Sequence, residues 1–160
     1  MTNLLDRMRV DGQVAIVTGA GRGVGRGIAL AMAAGGAHVV CSARTAAQID
    51  ETVELVKQAG GSAEALIADV MQEDQLAALV DATVERCGGI DIVVNNAGGS
   101  DYAAFLDTTT EAFRHHFDWN TTSAFVLSRL ATPWLLKRGG GSIINISSGA
   151  GHIGIRGMMA

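Results

Sequence analysis

Residues 14–32 read VAIVTGAGRGVGRGIALAM. The first five are apolar or β-branched and suit a buried strand. Gly19, Gly21, Gly23 and Gly25 follow, and then apolar residues recur at helical spacing through Val24, Ile28 and Ala31. Glycines at this junction remove Cβ atoms where the chain turns and where a ligand must approach the backbone. The helix that follows points its free N–H groups and its positive dipole end at the turn, which makes a site for a diphosphate. A glycine cluster alone says little; placed between a first strand and a helix it carries a dinucleotide reading.

Outward from that stretch the apolar pattern keeps switching between short runs and helical stripes. Short runs fall at 14–18, 38–42, 63–68, 91–95 and 142–147. Between them lie stripes through Ile49, Val53 and Val56, through Leu76, Leu79, Val80 and Val84, and through Phe113, Phe117, Ala124, Leu127 and Leu130. Strands alternating with helices pair in parallel through right-handed crossovers. Near-continuous apolar strands are those covered by helices on both faces. The expected fold is α/β, a doubly wound, Rossmann-like parallel sheet in order 3-2-1-4-5, forming one dinucleotide-binding domain over residues 1–160. The glycine-broken segment GAGHIGIRGMMA, residues 149–160, offers no sixth strand, so the sheet is expected to be incomplete on that side, with an open edge.

Composition sets the broad class. Apolar residues make up 48% and charged residues 18%, which suits a globular chain. A net charge of −4 gives no general attraction to nucleic acid or anionic membrane, so neither is expected as a partner. No stretch reaches membrane-spanning length, and residues 1–10 carry no apolar run like a leader peptide. Cys41 and Cys87 lack C-x-x-C spacing and read as reduced core thiols of a cytoplasmic protein. His115 and His116 are adjacent, so on a helix they point about 100° apart and share no ligand site easily; they read as solvated helix surface. His38 and His152 have no metal-ligand spacing, and no metal is expected. Trp119, Trp134, Phe105, Phe113 and Phe117 read as core or helix-packing residues.

The spacing T-G-x-x-x-G-x-G over Thr18–Gly25 resembles the short-chain dehydrogenase/reductase family. Further segments agree in order: Asp69-Val70 after the third strand, Asn95-Asn96-Ala97-Gly98 after the fourth, Asn120 in the long helix, and IINISSGAG at 143–151. The resemblance implies that Gly19, Gly21, Arg22, Gly23, Val24 and Gly25 meet the cofactor diphosphate. It also places Asp69 and Val70 near the adenine and lines the cofactor with Asn96, Ala97 and Gly98. By the same resemblance Ser148 is the catalytic Ser, standing three residues before Gly151, with Ser147 on the other side of the strand. Asn120 is the supporting Asn, expected to point at the sheet from the face it shares with Phe113, Phe117 and Ala124.

The end of the second strand bears on the cofactor. Enzymes of this fold that use NAD often carry an acid there for the ribose hydroxyls. This chain has Ala43 followed by Arg44. An acid would repel a 2′-phosphate, whereas a guanidinium binds it through paired, charge-assisted hydrogen bonds, and Arg22 adds to the same positive spot. NADP(H) is therefore favoured over NAD(H).

The activity implied is hydride exchange between that cofactor and a small carbonyl or secondary alcohol. Such a reaction needs a proton donor and groups that polarise the oxygen. The family's Y-x-x-x-K would begin about thirteen residues after Ser148, at the first position beyond Ala160. The only tyrosine, Tyr102, has Leu106 four residues on, and the lysines are Lys57 and Lys137. The expectation is a fragment that is itself inactive, cut before that Tyr, and exposing apolar faces; its parent would be a homo-dimer or homo-tetramer joined in part through the long helix near residues 109–138. A non-catalytic dinucleotide-binding module is the alternative. A methyltransferase using adenosylmethionine would carry an acid where Ala43 stands.

Overall fold

Five β-branched and small residues form the central strand β1, Val14–Thr18, and all five are buried. Alternate side chains leave β1 in opposite directions, and each direction meets its own core. Ala15 and Val17 pack with Ala29, Ala33, Ile49, Val53 and Val56. Val14 and Ile16 pack with Leu76, Leu79, Val80, Leu127, Ala131 and Leu135. Each fully buried Ile or Leu contributes about 1.5–3 kcal/mol of transfer free energy, which is why the strand pattern is continuous rather than alternating.

The computed structural model describes residues 8–151, 153, 156 and 157. After β1 the chain forms α1 (Gly23–Ala34), β2 (His38–Ala43), α2 (Ala46–Gln58), β3 (Ser62–Ile67), α3 (Glu73–Cys87) and β4 (Ile92–Asn95). Then come α4 (Thr110–Phe117), a π-helical turn (Asp118–Thr122), α5 (Ser123–Lys137) and β5 (Ser142–Asn145). The strands form one parallel sheet in the order β3-β2-β1-β4-β5, as the sequence predicts. Helices α1 and α2 cover one face, and α3 and α5 the other. Among the described residues β5 pairs only with β4, and all four of its residues are exposed, so the expected open edge is present. His152 and part of the expected glycine-broken tail lie outside the described residues.

Two helical stripes differ from the sequence reading. In α1 the buried face is Gly25, Ala29 and Ala33, while Val24 is 66% exposed. Small residues let α1 lie close to β1, and this packing overrides the larger apolar side chains beside them. Phe105 lies in a short 3-10 turn ahead of the long helix and is exposed; within the helix α5 buries Ser123, Val126, Leu127, Ala131 and Leu135, whereas Phe113 and Phe117 of α4 are exposed rather than core. The cause is the π turn: the Ser123 N–H bonds the Asp118 carbonyl, and the extra residue rotates α4 out of phase with α5.

Both cysteines are free; Cys41 is fully buried, and burial pushes its thiol up to about 12, so it stays an unreactive thiol. No described helix is long and apolar enough to cross a membrane.

Candidate functional site

The glycine turn is shaped by what it must not contain. Gly19 has φ +64°, and a Cβ there would stand 2.9 Å from Asn96 Nδ2. A Cβ on Gly25 would overlap the Gly19 carbonyl oxygen and the Asn96 amide. The turn is then fastened to the end of β4. Thr18 Oγ1 accepts the Asn96 and Ala97 N–H groups, each at 3.0 Å, and Asn96 Nδ2 donates to the Thr18 carbonyl at 2.9 Å. Beside it, Asn95 Nδ2 donates to Asn145 Oδ1 at 2.8 Å and to Ser128 Oγ at 3.0 Å, joining β4 to β5 and α5. The NNAG segment is thus the bolt between the two halves of the sheet. No side chain caps the start of α1, so its first N–H groups face the turn unclaimed by a cap.

These constraints leave a cleft of about 600 Å³ at the carboxyl ends of the strands. Every residue singled out for the dinucleotide lines it: Gly19, Gly21, Arg22, Gly23, Val24, Gly25, Arg44, Asp69, Val70, Asn96, Ala97 and Gly98. Thr45, Gln48, Trp119 and Ile146 line it too, and the sequence reading missed them. Trp119 is half-buried in this cleft rather than in the core, with the Arg44 guanidinium 6.0 Å from its ring centroid. Its place one residue before Asn120 was the available signal. Arg44 Nη1 also stands 3.9 Å from Asp69 Oδ2, a loose pair whose arginine is largely exposed.

A second, adjoining cleft of about 1020 Å³ shares Asn96, Ala97, Gly98 and Ile146 with the first. Asn120 and Ser148 both line it. Ser147 lines it as well, contrary to expectation, because β5 ends at Asn145 and strict side-chain alternation stops there. Ser148 Oγ accepts the Ala150 N–H at 3.2 Å, capping the turn at Gly149–Gly151. Among the described residues no protein acceptor takes its own O–H.

Asn120 sits in the π turn, exposed, and not on a sheet-facing stripe with Phe113 and Phe117. Its amide is spent on backbone: Oδ1 accepts Gly99 N–H at 2.9 Å, and Nδ2 donates to the Gly99 and His116 carbonyls, each at 2.8 Å. Its geometry is that of a residue that shapes the helix and the loop after β4. That same loop overturns the surface reading of His116. His115 is exposed, but His116 is buried because Asp101 lies across it, its N–H donating to His116 Nε2 at 3.1 Å.

Residues 13–160 match the model of the short chain dehydrogenase family. The chain belongs to that family. It is 40% identical over 158 residues to an uncharacterized oxidoreductase of Mycobacterium tuberculosis, covering 98% of this chain and 60% of that protein. It is 42% identical over 143 residues to the 7alpha-hydroxysteroid dehydrogenase of Escherichia coli K12, covering 89% of this chain and 56% of that enzyme. A solved 7 alpha-hydroxysteroid dehydrogenase, complexed with NADH and 7-oxo glycochenodeoxycholic acid, superposes with a TM-score of 0.92 at 40% identity. That alignment covers 98% of this chain and 61% of the solved one, so this short-chain dehydrogenase sequence spans about three fifths of its relatives' length.

Proposed function

We propose that this chain is the cofactor-binding part of an NADP(H)-linked oxidoreductase acting on a small carbonyl or secondary-alcohol substrate. The observation that carries the proposal is one continuous cleft: the glycine turn, in which a Cβ on Gly19 or Gly25 would collide with its neighbours, the uncapped start of α1, and Arg44 at the end of β2. The donor set fits such a ligand. The first-turn N–H groups of α1 suit a diphosphate, while Arg22 and Arg44 supply charge-assisted donors for a 2′-phosphate. Asp69 and Val70 border the adenine end, and Asn96, Ala97 and Gly98 lie between the two clefts. When bound, the nicotinamide supplies or accepts the hydride.

This chain's own residues then orient the substrate. The Ser148 hydroxyl, lining the second cleft, donates to the carbonyl oxygen as negative charge develops there. Asn120 holds the Gly99 loop and the π turn in place. Among the described residues, neither Tyr102 nor Lys57 nor Lys137, the sole tyrosine and the two lysines of the sequence, lines this cleft. That favours the second reading for the 160-residue polypeptide alone, a module that binds the cofactor without turning it over. In the whole protein, assembly as a dimer or tetramer through α4 and α5 is part of the proposal, because Phe113, Phe117 and Phe125 stand exposed along them.

The test is a fluorescence titration with NADPH and NADH. NADPH is expected to bind more tightly, and Arg44→Ala to weaken it about tenfold or more, the loss of a charge-assisted pair. Tighter NADH binding that Arg44→Ala leaves unchanged overturns the cofactor assignment.

A further inference from the structure

Away from the clefts, at the amino-terminal ends of β2 and β3, three dissimilar side chains meet. The parallel register pairs His38 with Ser62 and Val40 with Glu64, so His38 and Glu64 are diagonal neighbours on one sheet face. That face is covered by α3, whose last residue is Cys87. The imidazole, carboxylate and thiol ligand atoms all lie within 4.8 Å of one another, and each residue is partly exposed.

We infer that His38, Glu64 and Cys87 form a binding site for a divalent transition-metal ion of the zinc type. An ion held at about 2.0–2.3 Å by N, O and S ligands at tetrahedral angles separates those atoms by about 3.4–3.6 Å. His38 Nε2 and Glu64 Oε1 stand 3.5 Å apart, within that range, while Cys87 Sγ and Glu64 Oε1, hydrogen-bonded at 3.1 Å, open by a few tenths of an ångström when the ion takes the place of the thiol proton. The surroundings aim the same atoms inward. Ser62 Oγ lies 2.7 Å from His38 Nδ1, which fixes the ring and leaves Nε2 toward the cluster. Arg86 Nη1 donates to Glu64 Oε2 at 3.0 Å, so the other carboxylate oxygen, Oε1, is the one presented. A thiolate, an imidazole and a carboxylate together suit zinc or cobalt rather than magnesium or calcium. On binding, the ion replaces the thiol proton that Cys87 shares with Glu64, and that proton leaves to solvent. Partial exposure leaves the fourth position for water. Lying at the opposite end of the strands from the glycine turn, the ion would clamp β2, β3 and the end of α3 without touching either cleft.

The probe is cobalt(II) added to the purified, metal-free protein, followed by absorbance. The expected result is a near-ultraviolet thiolate charge-transfer band saturating at one equivalent and displaced by zinc. Cys87→Ser removes the band, and Ser62→Ala weakens binding about tenfold while leaving the band in place. Wild-type protein showing no band overturns the site, a result that needs no variant to fold. A band that survives Cys87→Ser, and so belongs to other ligands, overturns it equally. Protonated His38 simply paired with Glu64 predicts the first of these failures.

Discussion

Gly25 shows how one missing Cβ can serve packing and binding at once. It is a buried member of the α1 stripe, and the space a side chain would fill is taken by the Gly19 carbonyl and the Asn96 amide. Gly25→Ala therefore has to push apart the turn and the NNAG bolt. The expected result is a loss of about 1–3 kcal/mol of stability, as for other overpacked sites, together with loss of NADPH binding. Chemical denaturation and cofactor titration check it, and wild-type values in both would contradict the cradle described above. Ser148 is the contrasting case. Nothing local distinguishes a serine that caps a turn from one that meets a substrate, and here it does the first while standing in the cleft required for the second. The second role is proposed from the resemblance to the family's motifs alone; its own neighbours do not point to it.

At the scale of elements, Asp91 ties four pieces together just before β4. Its Oδ2 accepts the Val14 N–H at 2.8 Å, and Arg138, at the end of α5, donates to both carboxylate oxygens at 3.0 Å. Its backbone carbonyl accepts the Ser142 N–H at the head of β5. Burial by itself raises the Asp91 pKa, but the hydrogen bonds from Arg138 and Val14 outweigh it and hold the carboxyl below its ordinary value. A carboxyl depressed in the folded state adds stability that is fully present above its unfolded pKa and is lost as pH falls through the folded one. Asp91→Asn is expected to lower the melting temperature by a few degrees at neutral pH. The gap from wild type should close as the pH falls through the acidic carboxylate range, and thermal melts across pH test this. A gap that widened in acid would reverse the sign of the argument. Helices were less legible at this scale than strands. Strand runs were read to within a few residues, but the π turn at Asp118–Thr122 has no sequence signature: beyond it Leu127 is buried and Leu130 packs on the core as the stripe expects, while Phe113 and Phe117 before it are out of phase and exposed.

At the scale of the whole molecule, the two clefts meet at the carboxyl ends of the strands, where order reverses between β1 and β4. Ligand binding and chemistry need different parts of that arrangement. Among the described residues, the first cleft is lined by those proposed for the cofactor, whereas the second is lined by Ser148 and Asn120 and by no tyrosine or lysine. The 160-residue polypeptide is therefore expected to bind NADPH and yet give no cofactor-dependent turnover of any carbonyl or alcohol. An assay of absorbance at the reduced nicotinamide band checks it, and measurable turnover by this polypeptide would show that another group supplies the proton.

The sheet order and the place of the glycine turn between β1 and α1 followed from the amino-acid sequence because each rests on a local pattern: apolar runs, crossover handedness, and glycines between a strand and a helix. What joins distant segments did not. Trp119 entering the cofactor cleft, His116 buried beneath Asp101, and His38 meeting Glu64 and Cys87 all depend on strand register, on a helix's phase, or on a loop laid across another element. Those are set by how whole surfaces pack, and no short window of residues contains them.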